Sequence, residues 1–317
     1  MIFSAAMLVA MAVDGIIGWP NAVYRRIGHP VTWIGAGVRG LDRTINRETD
    51  SDLARRIAGV IAALTVIGAA GFTGLALQSA LPANWIGTLC IGILAWPLVA
   101  MRSMHDHAAA VAKPLVAGDL KGARYAVSMI VGRDPARLDT PGVARAALES
   151  LAENTSDGII APLFWGAIFG LPGIAAYKAI NTLDSMIGHR TPRHDAFGWA
   201  SARIDDLVNL IPARATGVLF ALVSPRPRAS LSVMWRDAGH HRSPNAGWPE
   251  AALAGALNIR LSGPRSYHDH TADEPWLNPS APDPGAADIA RGLQLYRRAM
   301  ILAAVGLGGL AGVLALL

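Results

Sequence analysis

Three stretches, residues 57–77, 85–101 and 299–317, are each apolar and long enough to cross a bilayer, since a hydrocarbon core of about 30 Å takes roughly 20 helical residues. Nothing else in the chain constrains its fold as much. Inside hydrocarbon every backbone N–H and C=O must be bonded within the protein, so a spanning segment is a helix or part of a closed barrel. No strand-like alternation is strong enough here to build a sheet, which leaves an all-α, polytopic integral membrane protein. Residues 1–17 add a fourth apolar segment. Residues 159–177 and 207–223 are also apolar, but Pro162 and Pro172 interrupt the first and Pro212 the second. Proline removes a backbone donor and kinks a helix. Broken helices persist at membrane depth only where protein or a polar cavity covers the freed groups. Kinked or re-entrant helices around a polar site are therefore expected.

Composition agrees, with 52% hydrophobic and 16% charged residues, against about 25% charged in an ordinary soluble domain. Disorder is excluded by that balance, and a disulfide scaffold by the single Cys90. The net charge of +5 rests mostly on arginine and forms no basic run, so no nucleic-acid partner is assigned. Basic residues gather in 18–56, 102–158 and 224–298, which the positive-inside rule puts in the cytoplasm. The N-terminal segment has no basic flank and no clean cleavage site, and reads as a retained helix rather than a signal peptide. Asp14 near its end is interfacial or functional, because an acid at membrane depth is costly. The expected organisation is one membrane-embedded domain, 1–317, in the cytoplasmic (inner) membrane. Residues 102–158 and 224–298 are mainly cytoplasmic, and both termini lie outside. Residues 178–206 fall outside if both broken segments span, and on the cytoplasmic side if both are re-entrant.

Polar residues concentrate in a few blocks. In 145–165 Glu149 and Glu153 share one helix face, Asn154 lies beside them, and Asp157 follows at the helix end. In 177–203 Lys178, Asn181, Asp184 and Ser185 form a polar stripe on an otherwise apolar helix. In 203–214 Asp205 and Asn209 are four apart, Asp206 is adjacent, and Arg203 and Arg214 bracket the group. Charges this close to apolar segments must be paired, or must bind an ion or a substrate. Magnesium takes oxygen ligands, often one or two carboxylates plus substrate phosphates, and Arg or Lys neutralises the remaining phosphate charge. Glu153, Asp157, Asp184, Asp205 and Asp206 with Lys178, Arg203 and Arg214 suit such a metal–phosphate site. A network of structural ion pairs between kinked helices would use the same residues. In 240–264 Ser243-Pro244-Asn245 is a turn whose amides and Asn245 side chain can hold a carbonyl or a phosphate, and Pro249 suits the first turn of the helix that follows. His240, His241, His268 and His270 fit no standard zinc spacing and have no cysteine partners. His29 suits a capping or packing role. The sequence contains no P-loop and no nucleophile elbow.

The runs ESLAENTSDGIIAPLFW, YKAINTLDSMIGHRT, FGWASARIDDLVNLIPAR and SPNAGWPEAALAGAL closely resemble the CobD/CbiB family, the adenosylcobinamide-phosphate synthases of cobalamin biosynthesis. The early run DGIIGWPNAVYRRIGHPVTWIG is similar to that family's N-terminal motif. The resemblance extends from Asp14 to Pro264, with one departure: Trp19 stands where the family has Asp, between Gly18 and Pro20. It implies an ATP-dependent, magnesium-requiring ligase that joins adenosylcobyric acid to aminopropanol phosphate, or to aminopropanol or an ethanolamine analogue. It also leaves room for partner proteins of the cobalamin pathway. On that reading Asp184, Asp205 and Asp206 bind magnesium, and Lys178, Arg203 and Arg214 hold phosphates. Glu149 or Glu153 takes the proton of the incoming amine, with Asp157 grouped beside them as catalytic. Asn154, Asn181, Asn209 and Asn245, with Ser185 and Ser243, hold phosphates or corrin amides. ATP is cytoplasmic, so residues 178–206 are expected on that side, with the broken segments re-entrant or buried.

Three other classes fit parts of the pattern. An intramembrane prenyltransferase would hold magnesium diphosphate on Asn181–Asp184 and Asp205–Asn209, beside a lipid-facing tunnel. A transporter would use broken helices with acids at depth, but the inverted repeats that support one are absent from the sequence. A purely structural membrane subunit leaves the polar blocks without a role.

Overall fold

The computed structural model describes residues 2–132, 134–266, 271–272 and 274–316. His268 and His270 lie outside the described residues. In chain order the helices are α1 (Phe3–Ile17), α2 (Asn21–Ile27), α3 (Pro30–Ile45), α4 (Asp52–Ser79), α5 (Trp85–Ala95), α6 (Met101–Val116), α7 (Leu120–Ser128) and α8 (Thr140–Thr155). They continue with α9 (Ala161–Phe169), α10 (Leu171–Ile187), α11 (Trp199–Val208), α12 (Leu210–Val223), α13 (Pro227–Asp237), α14 (Gly247–Leu257) and α15 (Ala286–Leu316). Four two-residue strands, β1 (Leu261–Ser262), β2 (Arg265–Ser266), β3 (Thr271–Ala272) and β4 (Trp276–Leu277), pair antiparallel as β1 with β4 and β2 with β3. The fold is thus all-α in its main elements, as expected. Asp52–Ser79, Trp85–Val116 and Ala286–Leu316 are long and apolar enough to cross a membrane, and two bent helix pairs raise the number to five if each is one span. In the first pair, Phe3–Ile17 and Asn21–Ile45 are bent by 110°.

The breaks differ from those the prolines predict. Between α9 and α10 the chain turns at Gly170, whose φ of 72° is left-handed and costs glycine little. Pro172 falls in the first turn of α10, where a missing N–H has no helical partner to lose. Pro162 lies near the start of α9, which follows a π-helical turn, Ser156–Ile160. Pro212 is likewise in the first turn of α12, and the interruption falls at Asn209. Asp157 therefore sits inside a π-turn rather than at a helix end.

The chain forms two compact units, the first made of Met1–Ala100, Ala161–Asn209 and Gly306–Leu317, the second of Met101–Ile160 and Leu210–Val305. In unit 1, α10 packs along α4 and α9, and α1 packs on α5 and α9. The core joins Val38, Ala62, Ala63 and Val66 to Ala179, Leu183, Ile187 and Phe197. Small residues on α4 bring backbones together: a Cβ at Gly59 would overlap the Phe197 carbonyl, and one at Gly74 would come within 2.6 Å of the Leu171 oxygen. Gly170 has no side chain to cap α10, and Gln78 Oε1 accepts from Leu171 N instead, at 2.9 Å.

A polar clasp closes the same unit. Arg193, in the loop between α10 and α11, donates from Nε to Asp42 Oδ2 at 3.2 Å and from Nη1 to Glu48 at 3.0 Å. Its carbonyl accepts from Asn46 Nδ2 at 3.1 Å and from the buried Arg55 at 2.5 Å. The α10–α11 loop is therefore bound to the α3–α4 connection, at the N-terminal end of the α4 span.

In unit 2, α14 is buried along nearly its whole length. Its alanines and glycine let α12 and α13 close on it, and Ser230 Oγ donates to Ala252 O at 2.7 Å. Asn258, with φ of 58°, ends the helix in the left-handed region, a common way to stop one. Arg145 and Arg260 lie 4.6 and 4.2 Å from the Trp276 ring centroid, and both donate to Asp283. The Arg260 hydrogen bonds, supported by Arg145, hold the Asp283 carboxyl down at about 2.

Gly59→Val is expected to cost roughly 1–3 kcal/mol by overpacking, read as a lower melting temperature in detergent. Gly37→Ala, where a Cβ meets nothing within 4 Å, should be neutral or stabilising. Because the folded pKa of Asp283 is depressed, its stabilisation is complete above the unfolded carboxylate pKa of about 4 and fades as pH falls toward about 2. Hydrogen-exchange protection of residues 259–266 and 274–283, relative to the intrinsic rate at each pH, should fall in that window, and Asp283→Asn should remove that step.

Candidate functional site

Unit 1 holds one polar set, on α10 and α11. The apolar residues Ala179, Leu183 and Ile187 commit one face of α10 to the core. Lys178, Asn181, Asp184 and Ser185 are thereby gathered around the remainder of the helix. Lys178 is only 8% exposed and lies within electrostatic range of His29, which caps α3 by accepting from Val31 N at 3.2 Å. Trp19 packs edge-on against His29, with centroids 5.0 Å apart, and against Trp96 at 5.4 Å. The residue that departs from the family motif thus fills an aromatic cluster beside the His29 cap.

Asp184 lies over Gly188, where a Cβ would overlap its carboxylate. It is close enough to Asp206 for the two carboxylates to repel, with His189 opposing that charge. Adjacent helical residues point about 100° apart, and Asp205 is engaged elsewhere. Its Oδ2 accepts from Asn209 Nδ2 at 3.0 Å, and Asn209 Oδ1 accepts from Tyr177 Oη at 2.8 Å. Arg203 donates to Asp206 at 3.2 Å, with its side chain 58% exposed.

Unit 2 holds a second set. Glu149 is buried and its Oε1 accepts from Ser262 N at 2.7 Å, so it anchors β1 to α8. Glu153, one turn on, is exposed, and Asn154 Nδ2 donates to Ser150 O at 3.0 Å. Asp157 is half-buried in the π-turn, a distortion frequent at functional sites. Arg214 stacks over the Trp248 ring at 4.3 Å and donates to Leu210 O at 2.7 Å. The Ser243–Asn245 turn forms as its sequence suggests: Ser243 Oγ accepts from Asn245 N and Ala246 N, each at 3.2 Å.

Sequence reasoning missed Glu250 and the role of His241. Nδ1 of His241 accepts from Ser243 N at 3.1 Å, and its Nε2 lies 3.7 Å from the buried Glu250 carboxylate. The available signal was an acid at the head of an otherwise apolar helix, EAALAGAL. No spacing rule links it to a histidine nine positions earlier.

Among the described residues, no three His, Cys, Asp or Glu side chains make a ready-made metal site. The Asp184–Asp206 pair nonetheless fits magnesium, which often takes one or two carboxylates and completes its shell with water and substrate phosphates.

Residues 7–296 match the family model described as CobD/Cbib protein. A cobalamin biosynthesis protein CobD from Rhodobacter capsulatus is 69% identical over 94% of each chain. Proteins of the same description from Brucella suis and a Sinorhizobium species are 45% identical over 93% of this chain and 92% of theirs, and 44% identical over 92% of each. No solved structure matches. With nearly its whole length aligned to both the family model and these relatives, the chain belongs to the CobD/Cbib family.

Proposed function

We propose that this protein acts in cobalamin biosynthesis as an ATP-dependent amide ligase. It joins the free carboxylate of adenosylcobyric acid to aminopropanol phosphate, or to aminopropanol or an ethanolamine analogue. Membership of the family supports the pathway. The observation that carries the chemistry is the polar face of α10, where the buried Lys178 and the Asp184 carboxylate sit on a helix packed against a membrane span.

A carboxylate is a poor acyl donor until one oxygen becomes part of a leaving group. The carboxylate oxygen attacks the γ-phosphorus of ATP and ADP leaves, or it attacks the α-phosphorus and pyrophosphate leaves. The amine nitrogen then attacks the carbonyl carbon, and phosphate or AMP departs with the C–O bond electrons. Charge in both steps lies on phosphate oxygens, so the protein's task is positioning and electrostatic stabilisation. In unit 1, Lys178 offsets phosphate charge, and Asn181 and Ser185 donate hydrogen bonds. Asp184 and Asp206 would hold magnesium, which, when bound, draws charge from the phosphate oxygens. In unit 2, Arg214 is the phosphate-binding cation. The amides of Ser243 and Asn245 are spent on His241 and on Ser243 Oγ, so the turn contributes the Ser243 hydroxyl and the Asn245 carboxamide. Because Glu149 is committed to Ser262, Glu153 is the better acceptor for the ammonium proton, which must leave before the nitrogen can attack.

The clasp around Arg193 bears on orientation. It ties residues 188–198 to the arginine-rich segment 18–56, which the positive-inside rule puts in the cytoplasm. In this reading ATP reaches α10 from that side of the inner membrane.

Purified protein given adenosylcobyric acid, ATP, magnesium and either amine should yield the cobinamide amide by mass spectrometry, with ADP or AMP revealing the mode of activation. Asp184→Asn and Asp206→Asn should each lower the rate about 100-fold and raise the magnesium requirement. Asp205→Asn, which keeps its partner Asn209, should lose less than about tenfold. Full activity with unchanged magnesium dependence in Asp184→Asn removes the metal assignment. For orientation, single cysteines replacing Arg47 and Arg190 in a Cys90→Ala background should both label from the cytoplasmic face. Labelling of both only from the opposite face reverses the topology.

A further inference from the structure

We propose that unit 1 carries a binding groove for one acyl chain of an anionic phospholipid, between α4 and α11. The groove is about 300 Å³ and is lined by Val60 and Leu64 of α4 and by Trp199, Arg203, Ile204 and Leu207 of α11. Its exposed wall is entirely apolar, and α4 is one of the three clear membrane spans. Leu64 and Leu207 are 61% and 67% exposed, so the groove opens away from the protein core, on a flank of α4 that α10 does not cover.

Its geometry suits one chain of one leaflet. Arg56 lies one turn from the N-terminal end of α4, and Leu64 lies eight residues further along. That is about 12 Å of helix, against about 15 Å for half of the hydrocarbon core. Arg56 sits at the shallow end. The Arg56 guanidinium lies 6.0 Å from the centroid of the Trp199 ring, and among the described residues it makes no ion pair. Arg203 engages Asp206 through one nitrogen and keeps most of its side chain exposed. Tryptophan favours the headgroup level, and guanidinium binds phosphate in a bidentate way. An apolar trough with Arg56 and Trp199 at its mouth and Arg203 one turn further along its wall therefore matches an acyl chain below a phosphate of net negative charge. A zwitterionic headgroup, whose own ammonium lies near its phosphate, gains less from the arginines. The phosphate that Arg203 meets is then a lipid's. The proposal stands on this groove and does not depend on which amide the protein makes.

Native mass spectrometry of the detergent-purified full chain tests it. Phosphatidylglycerol and phosphatidylcholine with identical acyl chains are titrated separately. Wild type should retain one phosphatidylglycerol per chain, with a preference over phosphatidylcholine of roughly fivefold or more, from the attraction of each arginine for an anionic surface. Arg56→Gln, on an exposed side chain, should reduce that preference severalfold while retaining phosphatidylcholine as before. Leu64→Trp, which fills the trough, should lose retention of both lipids. Melting temperatures in detergent alone identify any variant that misfolds, and Leu64→Phe replaces Leu64→Trp in that case. Equal retention of the two lipids by wild type overturns the proposal. So does unchanged retention in the filled-groove variant, or a dimer abolished by filling the groove, which would make a second copy the occupant.

Discussion

The approach of α10 to α4, backbone against backbone, is the constraint on which unit 1 rests. Lipid tails are as apolar as the helices, so tight packing rather than water exclusion holds spans together. Gly59, Ala62, Ala63 and Gly74 remove side chains from one strip of α4, and the carbonyls of Phe197 and Leu171 come to rest there. With Ala179, Leu183 and Ile187 fixed in that seam, the directions of Lys178, Asn181, Asp184 and Ser185 follow from helix geometry alone. A slip of one residue would rotate the stripe by about 100° and carry charged groups toward apolar packing. The seam thus controls where the chemistry faces.

Unit 2 solves a related problem with different means. Its central helix, α14, has few large side chains, so α12 and α13 pack close to it. Buried polar groups are met internally: Ser230 reaches the Ala252 carbonyl, Glu149 holds the Ser262 amide, and His241 lies between the Ser243 amide and Glu250. A buried group left unmatched would cost about 1–3 kcal/mol. The Ser243–Asn245 turn therefore has its shape fixed from beneath, by a histidine and a glutamate that never reach its outer surface.

The sequence made the membrane class, the main spans and the polar stripe legible, because each depends on local composition or on helical periodicity. The His29 cap and the Ser243–Asn245 turn were legible for the same reason. Helix breaks were less so, since proline in a first turn ends nothing; Gly170 carries the usual glycine stop, whereas Asn209 interrupts a helix without a comparable local signal. The π-turn at Ser156–Ile160 is invisible to any fixed period. The division of labour between Asp205 and Asp206 depends on Tyr177 and Asn209, far apart in sequence. The Trp276 cluster with Arg145, Arg260 and Asp283, and the clasp around Arg193, are also long-range, and composition carries no trace of which arginine meets which acid.

That clasp has a consequence for how the protein is made. Arg193 meets its partners across 138 to 151 residues of chain. At about 5–20 residues per second, a ribosome needs on the order of 10 s to deliver it. During that interval Asp42, Glu48 and Arg55 have already emerged, while the group that closes over them has not. Until it arrives they lack that partner. The arrival of Arg193 then closes the junction, so a loop made long afterwards fixes the start of α4 in place.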